Sequence, residues 1–138
     1  MPDLIRTYVD LPAKPADVYA YVAEPATGPM VSHARDVVDV TQDNGRVAGF
    51  KTKRGTVKYV MQAPPHQLEG EYQQKRARTR YDIRFEAIGD ARTRVSIDVN
   101  IQPQGLRAKM QGPIPRLRAK VQLNDWLEQA QKHFSAKK

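Results

Sequence analysis

The sequence contains no cysteine, and that one absence excludes disulfides, thiolate zinc sites and a cysteine nucleophile together. No stretch approaches the roughly 18 consecutive apolar residues that span a bilayer. The start, Met1-Pro2-Asp3-Leu4-Ile5-Arg6, lacks the basic-then-apolar order of a secretory signal, so a cytoplasmic protein is expected. Serine is scarce: Ser32, Ser96 and Ser135 are the whole set, and no Gly-x-Ser-x-Gly elbow surrounds any of them. A glycine-rich phosphate loop and a dinucleotide fingerprint are likewise missing. The three histidines, His33, His66 and His133, lie at unrelated places with no metal-ligand spacing among them. Neither a metal nor a cofactor is therefore expected.

What is present is the balance of a globular chain. With 138 residues, 40% hydrophobic and 28% charged, the length suits one domain spanning residues 1–138. The net charge of +8 is unevenly spread. Residues 1–45 carry −4 and residues 85–105 carry −1, while residues 46–84 carry +7 and residues 106–138 carry +6. A basic excess in the middle strands and the C-terminal segment points to an anionic partner or to a well-solvated basic surface.

Periodicity sets the element order. Over residues 3–11, Ile5, Thr7, Val9 and Leu11 alternate with polar positions and mark a strand facing a core. Pro15 suits the first turn of a short helix with Val18, Tyr19 and Val22 on one face, and Pro25, Gly28 and Pro29 break the chain into a second short turn or helix. Strands follow. Asn44-Gly45 is a hairpin signal, and pairing across it is expected to set Val40 near Val47 and Val38 near Gly49. A two-residue turn at Arg54-Gly55 would put Phe50 and Tyr59 outside together, as an exposed aromatic patch for a second subunit and hence a homodimer. A bulge or another loop length would bring Tyr59 and Met61 in with Val57, and the pattern leaves both open.

Beyond Pro64-Pro65, Leu68, Gly70 and Tyr72 share one face of a strand. Tyr81, Ile83 and Phe85 form the next inward set, and Val95, Ile97, Val99 and Ile101 the last, with Gly89-Asp90-Ala91 as the turn between. A helix of about 20 residues then carries Ile114, Leu117, Val121, Leu127, Ala130 and Phe134 as an apolar stripe, widened by Leu123 and Trp126. The fold class is α+β: a curved antiparallel sheet of about seven strands gripping one long C-terminal helix, with two short helices after the first strand.

That order, with Leu11-Pro12-Ala13-Lys14-Pro15-Ala16-Asp17-Val18-Tyr19 leading a strand into an aromatic-bearing helix, resembles the SRPBCC superfamily. Pro64-Pro65-His66-Gln67-Leu68-Glu69 and Gly89-Asp90-Ala91-Arg92-Thr93-Arg94-Val95 are similar to its middle-strand step and its last turn. This is the helix-grip fold of START lipid-transfer domains, birch-pollen-allergen-like proteins and polyketide cyclases. The resemblance implies a small hydrophobic ligand (lipid, quinone or polyketide) held between sheet and helix.

The expected ligand wall comprises Tyr19, Tyr72, Tyr81, Ile83 and Phe85, then Val95, Ile97 and Val99. Met110, Ile114, Leu117 and Val121 face them from the C-terminal segment, and Tyr21 reaches the same space from the short helix. Inward tyrosines need hydroxyl partners, which a ligand or the rim can supply. His33 is a candidate general base, and Tyr72 and Tyr81 are candidates for assisting proton transfer in a cyclase-type reaction. Glu69, Glu71, Asp82, Glu86 and Asp98 fall on wet faces, which excludes a paired-acid glycosidase. Lys51, Lys53, Arg54, Lys58, Lys75, Arg76, Arg78 and Arg80 form a basic cluster. It suits transient contact with an anionic membrane better than sequence-specific nucleic-acid binding, which lacks exposed stacking aromatics. A carrier or sensor, a cyclase and a basic interaction module are the three functional readings.

Overall fold

Proline and glycine punctuate the chain, and the described residues form nine elements. The computed structural model describes residues 3–30, 37–43, 45–75, 77–103 and 114–135. In chain order these form β1 (Asp3–Leu11), α1 (Pro15–Ala23), β2 (Val37–Asp43), β3 (Arg46–Thr52) and β4 (Gly55–Ala63). There follow β5 (Gln67–Gln74), β6 (Ala77–Gly89), β7 (Arg92–Pro103) and α2 (Ile114–Ser135). All seven strands make one antiparallel sheet in the order β1-β7-β6-β5-β4-β3-β2. Hairpins link β2 through β7 as a meander, and β1 closes onto β7, so β1 and β2 are the two edges.

The period-2 strands behave as their pattern demands. Ile5, Val9 and Leu11 of β1, Ile83 and Phe85 of β6, and Val95, Ile97, Val99 and Ile101 of β7 are all buried. β1 and β7 pair residue for residue from Asp3 with Ile101 to Leu11 with Thr93, stacking these apolar positions on one face. Helix α1 has proline in its first turn and turns Val18, Tyr19 and Val22 inward. Residues 24–30 continue as turns, closed by Gly28 N–H donating to the Glu24 carbonyl at 2.8 Å. Among the described residues one short helix follows β1, and the stretch punctuated by Pro25, Gly28 and Pro29 takes the turn form that the sequence allowed. Residues 31–36 lie outside the described residues.

Three expected registers are corrected. Across Asn44-Gly45, Asp43 pairs with Arg46 and Gln42 with Val47, and a bulge then sets Val40 opposite Phe50. Val40 therefore does not meet Val47. Val38 falls at a second irregularity between Val37 and Asp39 and is exposed, away from Gly49. The β3–β4 turn centres on Lys53-Arg54, one residue earlier than Arg54-Gly55, since Lys51 pairs with Thr56 and Phe50 with Val57. One residue is enough to flip a face. Phe50, Val57 and Tyr59 are all buried, at 2%, 1% and 8% exposure, so the aromatic patch offered to a second subunit is absent from the surface. Met61 does not join them. A register shift after Tyr59 pairs it with Glu69 on the opposite face and leaves it half-buried.

The helix stripe is corrected as well. Leu123, Trp126, Ala130 and Phe134 are buried, at steps of three, four and four residues. Leu117 and Val121 are exposed, at 57% and 61%. The step from Val121 to Leu127 is six residues, and at about 100° per residue it swings the stripe roughly 120° round the helix. The first half of the apolar pattern therefore looks outward. Trp126 fixes the helix against the α1–β2 connection, its Nε1 donating to the Thr27 carbonyl at 2.7 Å, and α2 lies chiefly along β1.

Candidate functional site

The inward sheet face is aliphatic over β1 and β7 and bears aromatics over β3 to β6. Tyr59, Tyr72 and Tyr81 are buried there with Phe50 and Phe85, and a fourth buried tyrosine, Tyr19, reaches the same core from α1. Each hydroxyl carried into that wall needs an acceptor or a donor, and the four solve the problem differently. Tyr59 donates to the Ala23 carbonyl at the end of α1, at 2.6 Å. The Tyr72 hydroxyl shares a 2.6 Å hydrogen bond with Thr52 Oγ1, which also accepts from the Gly55 amide at 3.1 Å and so fixes the β3–β4 turn. Tyr81 is held neutral, its ionisation pushed well up by burial and then by Tyr72 beside it. Tyr59 is pushed up likewise, by burial first and then by the Glu24 carboxylate and Tyr19. The Tyr19 ring lies tilted against Phe85, centroids 5.1 Å apart, and its buried hydroxyl has no hydrogen-bond partner among the described residues.

Tyr59 also lines a cavity of about 510 Å³ with Asp43, Arg46, Ala48 and Gln62, at the β2–β3 end of the sheet. The Gln62 amide donates to the Val47 carbonyl at 2.9 Å, bracing one wall. Arg46 makes no ion pair or hydrogen bond among the described residues, although it acts electrostatically on Tyr19. Burial raises the Tyr19 phenol and this guanidinium pulls it back. Met30 closes the wall over Gly70, where an added Cβ would lie 2.4 Å from the Met30 methyl carbon. The glycine lets the tip of the flexible Met30 side chain lie against the strand, and a larger residue there would have to displace it.

Of the expected wall, Tyr19, Tyr72, Tyr81, Ile83, Phe85, Val95, Ile97 and Val99 are all buried in one core cluster. Leu117 and Val121 are not in it, for the reason of helix phase given above. Met110 lies outside the described residues, as does the candidate base His33, and Ile114 begins α2 with its side chain outside them. Tyr21 misses this space. It packs between α1 and α2, stacked on His133 at 4.5 Å and edge-on to Phe134 at 5.2 Å. His133 is thus a packing residue at the helix end. Both border a second groove of about 720 Å³ with Lys14, Asp17 and Glu24. The sequence pattern passed over Arg46, Gln62 and Met30, and only Gly70, an inward glycine in a strand, signalled what Met30 does.

Three of the five wet-face carboxylates are paired to arginines. Glu71 meets Arg78 at 3.2 Å, Asp82 meets Arg84 at 3.2 Å and Asp98 meets Arg6 at 3.7 Å. Among the described residues no group of three or more His, Cys, Asp or Glu side chains could hold a metal ion, and no helix is long and apolar enough to cross a membrane.

A curved antiparallel sheet with a long C-terminal helix packed along it is the helix-grip fold. Solved structures share it across nearly their whole length. A START superfamily protein from Mycobacterium smegmatis matches with a TM-score of 0.64 at 14% identity, over 94% of this chain and 97% of that one. An HSP90 activator from Plasmodium falciparum matches at 0.62 and 12%, over 94% and 91%. Truncated norcoclaurine synthase from Thalictrum flavum matches at 0.60 and 9%, over 92% and 91%. No family model and no curated protein matches the sequence. Three such different roles on one fold leave the function to the site.

Proposed function

We propose that this protein binds a small hydrophobic ligand in the cavity at the β2–β4 end of the sheet, as a carrier or sensor. The observation that carries the reading is the cavity of about 510 Å³ beside Tyr59, inside the range of roughly 300–1,000 Å³ that small-molecule sites occupy. A cyclase reading has less support: Tyr81 is buried and held neutral, Tyr72 is committed to Thr52, and His33 lies outside the described residues.

The test is a native mass-spectrometry and thermal-shift screen across lipids, quinones and aromatic polyketides. Binding of at least one apolar class at a 1:1 ratio, with a raised melting temperature, is expected. Failure of every class to bind would sink the reading.

Delivery at a membrane is a second component. Leu117 and Val121 project from the outer face of α2 beside the exposed Arg118 and Lys120, a small apolar and basic surface suited to anionic headgroups. Co-sedimentation with phosphatidylserine vesicles, lost in Leu117→Ser/Val121→Ser and in high salt, is the expected result; equal binding to neutral vesicles would contradict it.

A further inference from the structure

The sheet face turned away from the core carries a charge pattern that the cavity does not use. Strand register lays it out in rows. One row runs Lys51, Thr56, Gln73, Arg78 from β3 to β6, and all four are exposed. A second runs Lys58, Glu71, Arg80 across β4 to β6. The row between them, Phe50, Val57, Tyr72 and Thr79, is buried, so these two rows look outward together. The β3–β4 turn adds Lys53 and Arg54, and Lys75 joins them because Gln74 pairs with Gly55 at the same end. Lys51, Lys53, Arg54, Lys58 and Lys75 make no ion pair among the described residues. Glu71 takes the Nε of Arg78 at 3.2 Å and of Arg80 at 3.9 Å, which orients both guanidiniums and leaves their side chains 44% and 52% exposed. Glu71, and Asp39 opposite Lys51, are the carboxylates beside these cations, which outnumber them.

We propose that this end of the outer face binds the phosphate backbone of a nucleic-acid duplex without sequence preference, Lys51 and Lys58 meeting one strand and Arg78 and Arg80 the other. The side chains that could stack on an unpaired base, Phe50 and Tyr59, are buried, which removes the main non-ionic attraction for a single strand. A duplex held by its phosphates needs no such contact. β3 and β6 stand three strand spacings apart, about 14 Å, close to the roughly 12 Å width of a major groove between two backbones. A membrane fits this end less well. Val60, next but one to Lys58, is exposed, but a single valine among lysines is a poor anchor, and Thr56 and Gln73 lie between the cations. The face lies on the other side of the sheet from the core, so the proposal stands apart from the ligand reading.

The experiment is fluorescence anisotropy of a short labelled DNA duplex with the intact protein over a series of salt concentrations. Binding is expected to fall with salt at a log–log slope of about −4, the value for about four neutralised phosphates. Lys51→Gln/Lys58→Gln should weaken binding several-fold and reduce the slope by about 2. Arg6→Gln/Arg84→Gln removes the same charge from the same face, outside the two rows, at side chains 73% and 65% exposed, and should leave binding nearly unchanged. All four positions are exposed, so unaltered melting temperatures are expected and separate lost contacts from lost folding. Equal weakening by the two pairs would reduce the effect to net charge and overturn the proposal. Displacement of the duplex by polyglutamate or by phosphatidylserine vesicles at equal charge concentration would overturn the choice of partner, as would tighter binding of the unpaired strand. No binding of the duplex at low salt overturns it outright, and each of these outcomes leaves the cavity reading untouched.

Discussion

The two halves of the sheet are covered differently. Over β1, β7 and the far part of β6 the inward residues meet α1 and the second half of α2, and the space is full: Ile5, Val9, Ile97, Val18, Val22, Trp126 and Ala130 are all at or below 6% exposure. Over β3 and β4 the cover thins. β2 beyond Val37 is exposed along its whole length, Val47 and Ala48 are half-buried, and a cavity opens beside Tyr59. The cause is helix phase and length of grip. The fully buried side chains of α2 begin at Leu123, while Leu117 and Val121 in its first half are exposed. The protein fills the thinly covered part with tyrosines, which tolerate a wet or ligand-filled neighbour as leucine does not. The packed core lies in the full half, and the proposed ligand site lies in the open one.

The contrast can be broken from either side. Ile97→Ala, in the full half, should cost about 2–5 kcal/mol in chemical denaturation, as a cavity with no room to collapse. Ala48→Leu, in the open half, should cost less than about 1 kcal/mol yet abolish ligand-induced stabilisation, because it fills space and displaces little. Tyr59→Phe leaves the Ala23 carbonyl without its donor and is expected to cost about 1–3 kcal/mol. A larger loss from Ala48→Leu than from Ile97→Ala would reverse the assignment of the halves.

Smaller effects are set by pH. Tyr59 and Tyr81 ionise at higher pH folded than unfolded, so their contribution is complete below the free phenol value near 10 and drains away as pH rises above it. Absorbance at 295 nm should show these phenols ionising only as the chain unfolds. The least effect belongs to Asp10, held below the usual carboxylate range chiefly by its hydrogen bond from Arg94 at 2.8 Å. Its stabilisation is present above the free carboxylate value and fades as pH falls through the lowered one. Asp10→Asn should therefore flatten the acid limb slightly, in an exposed pair of little worth.

Much of the full half was legible in the sequence because period-2 alternation in β6 and β7 is unbroken over six or more positions, and one buried face then fixes register. The open half was not. Its hairpins carry a bulge at β2–β3, a turn one residue from the Arg54-Gly55 signal and a shift after Tyr59, and each changes which side chains point inward. Phe50 and Tyr59 were thus undecidable from pattern alone, although they form the wall nearest the cavity. Leu117 and Val121 misled for another reason: two helical faces, each locally periodic, are joined by a six-residue step that a list of apolar positions conceals. Arg46 and Gln62 have no sequence signal, since a polar residue beside a turn reads as surface.

The most direct test of the division between the halves is an amide NMR titration of the isotope-labelled protein with 2-undecanone. Saturable shifts concentrated in residues 46–62 and around Tyr19, with residues 93–97 and 126–134 unmoved, are the result predicted. Shifts confined to residues 93–97 and 126–134, or none at any concentration, would contradict the account.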